Sequence, residues 1–161
     1  MEDSYQLSRY TEELPFCIIV PSYNNAKNFR YEFNLQSILN QDYQNYHVVI
    51  VDDASPDLTG LYIQRFLDQR NISKDKVTLI RNKKQMTAVP NIHYAITKHC
   101  KSNEIGFFVD GDDELVGVKA FKIFNALYQS KKPAIAYSVA FQYMTAENAV
   151  SDNWSQEYTL E

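Results

Sequence analysis

Two stretches of this chain, Phe16-Cys17-Ile18-Ile19-Val20 and His47-Val48-Val49-Ile50-Val51, are apolar almost without interruption instead of at alternate positions. A strand that alternates buries one face. A strand that does not is buried on both, which is the situation of a parallel sheet with helices on each side. Pro21 closes the first run and Asp52-Asp53 the second. Between them Tyr31, Leu35, Ile38 and Leu39 fall at i, i+4, i+7 and i+8, one face of a helix that returns the chain for a right-handed crossover. The first βαβ unit, and with it an α/β fold class, follows from these positions alone.

The same alternation continues. Ser55-Pro56-Asp57 is a turn and helix-start signal, with Ile63, Phe66 and Leu67 as the next apolar stripe and Val77-Thr78-Leu79-Ile80 as a third strand. Pro90 suits the first turn of a further helix, where its missing N–H goes unused, and Ile92, Ala95, Ile96 and His99 form that helix's expected buried face. Ile105 to Val109 reads as a strand, Leu115 to Tyr128 as a helix, and Ala134 to Met144 as another strand. With 161 residues and 45% hydrophobic content the chain is long enough for one domain with a substantial core and too short for two. The expectation is a single domain over 1–161, its core about 14–144 and a polar, poorly ordered tail over 145–161.

Charge and composition exclude several classes. A net charge of −4 supplies no basic field for a phosphate backbone, so no nucleic acid partner is expected. The polar N-terminus and an apolar run no longer than Phe16–Pro21 give neither signal peptide nor transmembrane segment, and the expected localisation is cytoplasmic. Cys17 and Cys100, far apart in sequence, are expected to be two reduced, partly buried thiols. His93 and His99 lie six apart, which does not put them on one helix face as metal ligands. Lys83 and Lys84 read as solvated surface.

Ligands of open α/β sheets bind outside the carboxyl ends of the strands. Three polar clusters fall there: Pro21-Ser22-Tyr23-Asn24-Asn25, Asp52-Asp53-Ala54-Ser55 and Asp110-Gly111-Asp112-Asp113. Singly, each reads as well as a turn or a helix start. Together they gather acids and amides at one edge of one sheet, and the last places three acids in four positions around a glycine that lets the backbone turn tightly. A cation relieves such repulsion, and oxygen ligands of this kind suit Mg²⁺ or Mn²⁺ together with the oxygens of a diphosphate.

Phe16 to Asn25, the helix end Leu35-Gln-Ser-Ile-Leu-Asn-Gln-Asp-Tyr43, Val49-Ile-Val-Asp-Asp-Ala-Ser55 and Phe107-Phe-Val-Asp-Gly-Asp-Asp113 resemble, in order and spacing, family 2 glycosyltransferases of the GT-A fold, over roughly residues 14–130. The resemblance implies a mostly parallel, Rossmann-like sheet and an inverting, metal-dependent transfer of a sugar from a nucleotide diphosphate, a UDP-sugar being the expected donor, to the hydroxyl of an unknown acceptor. It implies that Pro21, Ser22 and Tyr23 line the base and ribose, that Asp53 accepts a hydrogen bond from the uracil ring, and that Ser55 supports that loop. The resemblance further implies that Asp110 and Asp112 form the DxD motif, with Asp112 expected before Asp110 as the direct ligand of Mn²⁺ or Mg²⁺, Asp110 on the ribose or a metal-bound water, and Asp113 touching the sugar or starting the next helix.

In this family the general base and the acceptor loops come from a later segment. The carboxylates after Glu114, namely Glu147, Asp152, Glu157 and Glu161, resemble no such base, so the chain reads as truncated before that region, with self-association or a partner chain supplying the missing half. The loop after the third strand departs from the family, offering Asn82 to Asn91 where many relatives carry a glycine and an arginine-asparagine pair near the diphosphate, although Asn91-Ile92-His93-Tyr94-Ala95-Ile96 resembles a variant seen in part of the family. Two other readings compete: a nucleotide-sugar-binding module without turnover, and a phospho-accepting receiver domain. Order counts against the receiver, because a full strand and helix precede Asp52-Asp53.

Overall fold

The computed structural model describes residue 7 and residues 9–137. Its elements run β1 (Phe16–Ser22), a 3₁₀ turn (Lys27–Phe29), α1 (Arg30–Leu39), β2 (Tyr46–Asp52), α2 (Thr59–Gln69), β3 (Val77–Arg81), α3 (Ala88–His99), β4 (Ile105–Phe108) and α4 (Ala120–Lys131). The described strands form one parallel sheet in the order β3-β2-β1-β4. Both continuous apolar runs are central strands, as their lack of alternation requires, and every residue from Phe16 to Val20 is essentially inaccessible.

The two faces of the sheet are covered unequally. Phe16, Ile18, Val20, Val48 and Ile50 point to one face, where Tyr31, Leu35 and Ile38 of α1, Ile63, Phe66 and Leu67 of α2, and Phe121 of α4 pack on them. At the N-terminal end of this face the rings of Phe16, Tyr43, Tyr46 and Phe107 surround Phe121, with centroids 5.0–6.1 Å apart and mostly edge-on. On the other face Cys17, Ile19, Val49 and Val51 meet Ala95 and the partly buried Ile92 of α3.

Three expectations change. Ile96 is 41% exposed and His99 only half-buried, so α3 rests on the sheet through Asn91 and Ala95, one i, i+4 pair, with Ile92 beside them. Helix α4 starts at Ala120 and not at Leu115, because the backbone of the preceding residues is already bonded to α1 and the turn after it: Leu115 N–H donates to Ser37 Oγ (3.0 Å), Gly117 O accepts from Gln41 Nε2 (2.7 Å) and Val118 O accepts from Asp42 N–H (2.8 Å). Val118, expected on a buried helix face, is exposed. Cys17 and Cys100 are joined in a disulfide, their Cα atoms 5.6 Å apart. The cysteines are 83 positions apart, and the chain between them forms two further strands and three helices that bring the end of α3 back beside β1, so distance in sequence is no guide to their distance in space. The strand expected over Ala134–Met144 lies mainly outside the described residues, as does the tail over 145–161; residues 134–137 are irregular.

Candidate functional site at the carboxyl edge of the sheet

Register brings three strand ends to one edge. Ser22 pairs with Asp52 across β1 and β2, and Ile19 with Phe108 across β1 and β4. Single backbone bonds then carry the ladder into the loops: Asp53 N–H donates to Ser22 O (2.9 Å), Val109 N–H to Ile19 O (3.1 Å) and Gly111 N–H to Pro21 O (3.0 Å). An open cleft results, lined by Pro21, Ser22, Tyr23, Asn25, Asp53, Ala88, Asn91, Asp110 and Asp112. Six residues expected at the site, Pro21, Ser22, Tyr23, Asp53, Asp110 and Asp112, are therefore brought together. Ser55 stands behind them, where its Oγ accepts from Asn24 N–H (3.0 Å) and its own N–H reaches Asp52 Oδ1 (3.3 Å).

The acidic loop makes the expected tight turn, closed by Asp113 N–H on Asp110 O (3.0 Å), and Gly111 within it is also required by space. A Cβ there would collide with the Asn25 side-chain amide and lie 2.9 Å from Ser22 Oγ and 3.0 Å from Pro21 O. Because the acidic loop lies directly on the end of β1, Asp110 and Asp112 reach the cleft from either side of that contact. Asn34, buried on α1, holds the loop from beneath, its Nδ2 donating to Asp110 O (2.9 Å) and Asp113 O (2.7 Å).

The acids differ in how they are held. Asp53 is buried, and its Oδ1 accepts from Asn82 Nδ2 (2.7 Å) and Met86 N–H (2.8 Å) while Oδ2 accepts from Thr87 N–H (2.8 Å). Burial works to raise its pKa, but the neighbouring amides of Asn91 and Asn82 and the Met86 and Thr87 N–H groups outweigh it and hold the carboxyl below the ordinary aspartate value. Two acceptor sites are used on Oδ1 and one on Oδ2, which leaves Oδ2 able to accept once more. Thr87, at φ 73° and ψ 168°, occupies a region suited to glycine, a strain of about 1–3 kcal/mol that the Asp53 hydrogen bond helps to hold. Asp112 faces Arg30, with Nη1 to Oδ2 at 3.3 Å and both side chains about half exposed. Asp113 is pushed above the ordinary value, first by burial and then by the charges of Asp112 and Asp110.

Asn25, Asn91 and Ala88 also line the cleft, Asn25 as part of the expected Pro21–Asn25 cluster but none of the three with a role assigned from sequence. Asn25 is held by its N–H on Thr59 Oγ1 (2.9 Å) and its Nδ2 on Ser22 Oγ (2.9 Å). Asn91 Oδ1 accepts from Asn82 Nδ2 (2.8 Å), whereas its Nδ2, buried in the cleft wall beside Asp53, lacks a hydrogen bond of regular geometry. The signal for Asn91 is its place one residue after Pro90, in the first turn of a helix that opens on the cleft, and the likeness of Asn91–Ile96 to a variant of the family.

A parallel sheet whose β1, β2 and β4 loops gather acids and amides at one carboxyl edge is the arrangement of an α/β domain of the GT-A kind. The model of glycosyl transferase family 2 matches residues 17–158, and the chain belongs to that family. Its fold is similar to the mannosyltransferase PcManGT from Pyrobaculum calidifontis, solved with GDP-Man and Mn2+, at 22% identity and a TM-score of 0.63 over 78% of this chain and 39% of that one. It is also similar to S. aureus TarS, at 26% identity and a TM-score of 0.59 over 72% of this chain and 20% of that one. For TarS 1-349 in complex with UDP-GlcNAc the TM-score is 0.57, at 26% identity over 72% of this chain and 31% of that one. The chain thus spans about two fifths or less of the solved structures it resembles. No curated protein sequence matches it. No described helix is long and apolar enough to cross a membrane.

Proposed function

We propose that this chain forms the donor half of an inverting glycosyltransferase that takes a sugar from a UDP-sugar with the help of Mn²⁺ or Mg²⁺. The observation that carries the reading is the crowding of acids around one cleft: Asp110 and Asp112 line it together with Asp53 and with Ala88 and Asn91 of α3, and Asp113 lies close enough to Asp112 and Asp110 to feel their charges. Asp113 is raised first by burial and then by the neighbouring charges of Asp112 and Asp110, and an oxygen-only donor set of this charge fits a hard divalent cation. Asp112 and Asp110 would hold it, and a bound cation supplies charge stabilisation to the departing diphosphate. The N-terminal turn of α3, which carries no acid and presents Ala88 to the cleft, favours the same anion.

Pro21, Ser22 and Tyr23 suit the base and ribose, with the exposed Tyr23 ring as an apolar wall. Asp53 Oδ2 retains one acceptor position, and Asn91 Nδ2 beside it offers a donor. The pair matches an N–H flanked by a carbonyl, as on the edge of uracil. Asp53 is thereby a positioning residue as well as a reader, because the same carboxylate holds Met86 and Thr87 in place. Transfer further requires a general base for the acceptor hydroxyl, and that role falls to none of the cleft carboxylates named above, which are committed to the base and the diphosphate.

Calorimetric titration of UDP, GDP, UDP-GlcNAc and further UDP-sugars, with and without Mn²⁺, tests the reading. UDP and its sugars should bind only with the metal, and GDP at least about tenfold more weakly. Equal affinity for GDP would remove the uracil assignment, and absence of nucleotide binding by folded protein would remove the donor site. A second reading, donor binding without turnover, is separated by product analysis: UDP-sugar that binds and is never hydrolysed or transferred favours it.

A further inference from the structure

At the opposite, N-terminal edge of the sheet four ligand-bearing side chains converge. Cys17 and His47 are register partners on β1 and β2, their side chains on the α3 face. Cys100 is the C-cap of α3 and Glu104 lies in the loop before β4. Glu104 Oε2 accepts from Lys101 N–H (2.7 Å) and lies 3.1 Å from His47 Nε2, with the Glu104 side chain only 5% exposed and that of His47 22%. One ligand atom each from Cys17, His47 and Glu104 lie within 4.8 Å of one another, and the sulfur of Cys100 is bonded to that of Cys17.

We propose that on reduction of the Cys17–Cys100 disulfide this cluster becomes a zinc site, with the two thiolates, His47 Nε2 and a Glu104 oxygen as its four ligands. Ligand atoms around tetrahedral Zn²⁺ sit about 3.3–3.8 Å apart, given Zn–S near 2.3 Å and Zn–N or Zn–O near 2.0–2.1 Å, so the Cys17, His47 and Glu104 ligand atoms need to close by only about an ångström, while the two sulfurs, once their bond is broken, must move apart. The Cα separation of 5.6 Å suits two thiolates on one ion as well as a disulfide. The Lys101 N–H already orients the carboxylate, as outer hydrogen bonds do for metal ligands.

The redox step balances with a dithiol reductant. Its thiolate attacks the sulfur of Cys100, the more exposed of the two cysteines, and the electron pair of the S–S bond leaves on Cys17 as a thiolate. The reductant's second thiol then attacks the mixed disulfide, freeing Cys100 as the second thiolate and closing the reductant's own disulfide. Zn²⁺ takes up the two thiolates, and the two protons of the dithiol pass to solvent. Either state staples β1 to the end of α3, so the edge stays closed in a reducing or an oxidising compartment. Nothing in this inference depends on the donor cleft.

The test uses the whole chain, oxidised or reduced with a phosphine, and reads zinc content together with the spectrum after Co²⁺ substitution. The expected result is one Zn²⁺ per reduced chain and none at this edge in the oxidised chain, with tetrahedral ligand-field bands and a thiolate-to-cobalt charge-transfer band. Each of His47→Ala and Glu104→Ala should weaken zinc at least about tenfold, and Asp112→Ala should leave the charge-transfer band unchanged. A folded, reduced wild type with no charge-transfer band overturns the proposal, whatever the variants do. So does zinc affinity in both His47→Ala and Glu104→Ala equal to wild type.

Discussion

The two ends of the sheet are built on opposite terms. At the N-terminal end polar groups close onto the protein's own backbone: Glu13 Oε2 accepts from the N–H groups of Gln44 and Asn45 (both 2.8 Å), and the Tyr43 hydroxyl donates to Leu14 O (2.6 Å), all around the ring cluster of Phe121. At the C-terminal end acids face acids, a buried amide hydrogen donor lacks a regular partner, and Thr87 is held in a strained conformation. Buried polar groups are normally satisfied, so the C-terminal end is the one to which the proposed ligand is assigned, and the N-terminal end the one expected to carry the stability.

Substitutions at the two ends should separate these roles. The largest effect is expected from Phe121→Ala, which empties the centre of the ring cluster: about 3–5 kcal/mol of stability should be lost in denaturant unfolding, with nucleotide affinity of the folded fraction unchanged. A loss of affinity as large as the loss of stability would break the division. Asp53→Ala comes next. It leaves the Met86 and Thr87 N–H groups and Asn82 Nδ2 without their acceptor, at a cost of about 1–3 kcal/mol, and should also weaken UDP binding. Because the folded pKa of Asp53 lies below its unfolded value, its contribution is fully present above the ordinary aspartate value of 3.8 and is lost as pH falls through the lower folded value. The acid limb of the pH–stability curve should therefore flatten in the variant. The smallest effect is expected from Arg30→Gln: its exposed pair with Asp112 contributes under about 1 kcal/mol, and its removal should tighten Mn²⁺ binding a few-fold by freeing the carboxylate.

Much of the donor end was legible because the signals are local. Continuous apolar runs mark central parallel strands, and the polar residues that follow them must lie at the carboxyl edge. What stayed hidden depends on partners distant in sequence. Asn34 and Gln41 share a stripe of α1 and its C-terminal extension with Tyr31 and Ile38, and the same spacing that marks an apolar face gave no hint that these amides grip the chain 76–79 residues further on. That grip is also why residues 115–119 are not helical despite their apolar spacing. The sequence places Asp53 at the ligand edge, and its further bonds to Met86 and Thr87, which span 33 and 34 residues, are revealed only by the folded chain. The cysteines were misjudged for the same reason.

The most direct test of the donor end is calorimetric titration of UDP with and without Mn²⁺ on the wild type and on Asp112→Ala. Asp112 is half exposed and its one ion pair is weak, so the variant should unfold within about 0.5 kcal/mol of the wild type. The account predicts UDP binding that requires Mn²⁺ in the wild type and is lost in the equally stable variant. Metal-dependent binding that persists without Asp112, or UDP binding indifferent to Mn²⁺, would contradict it.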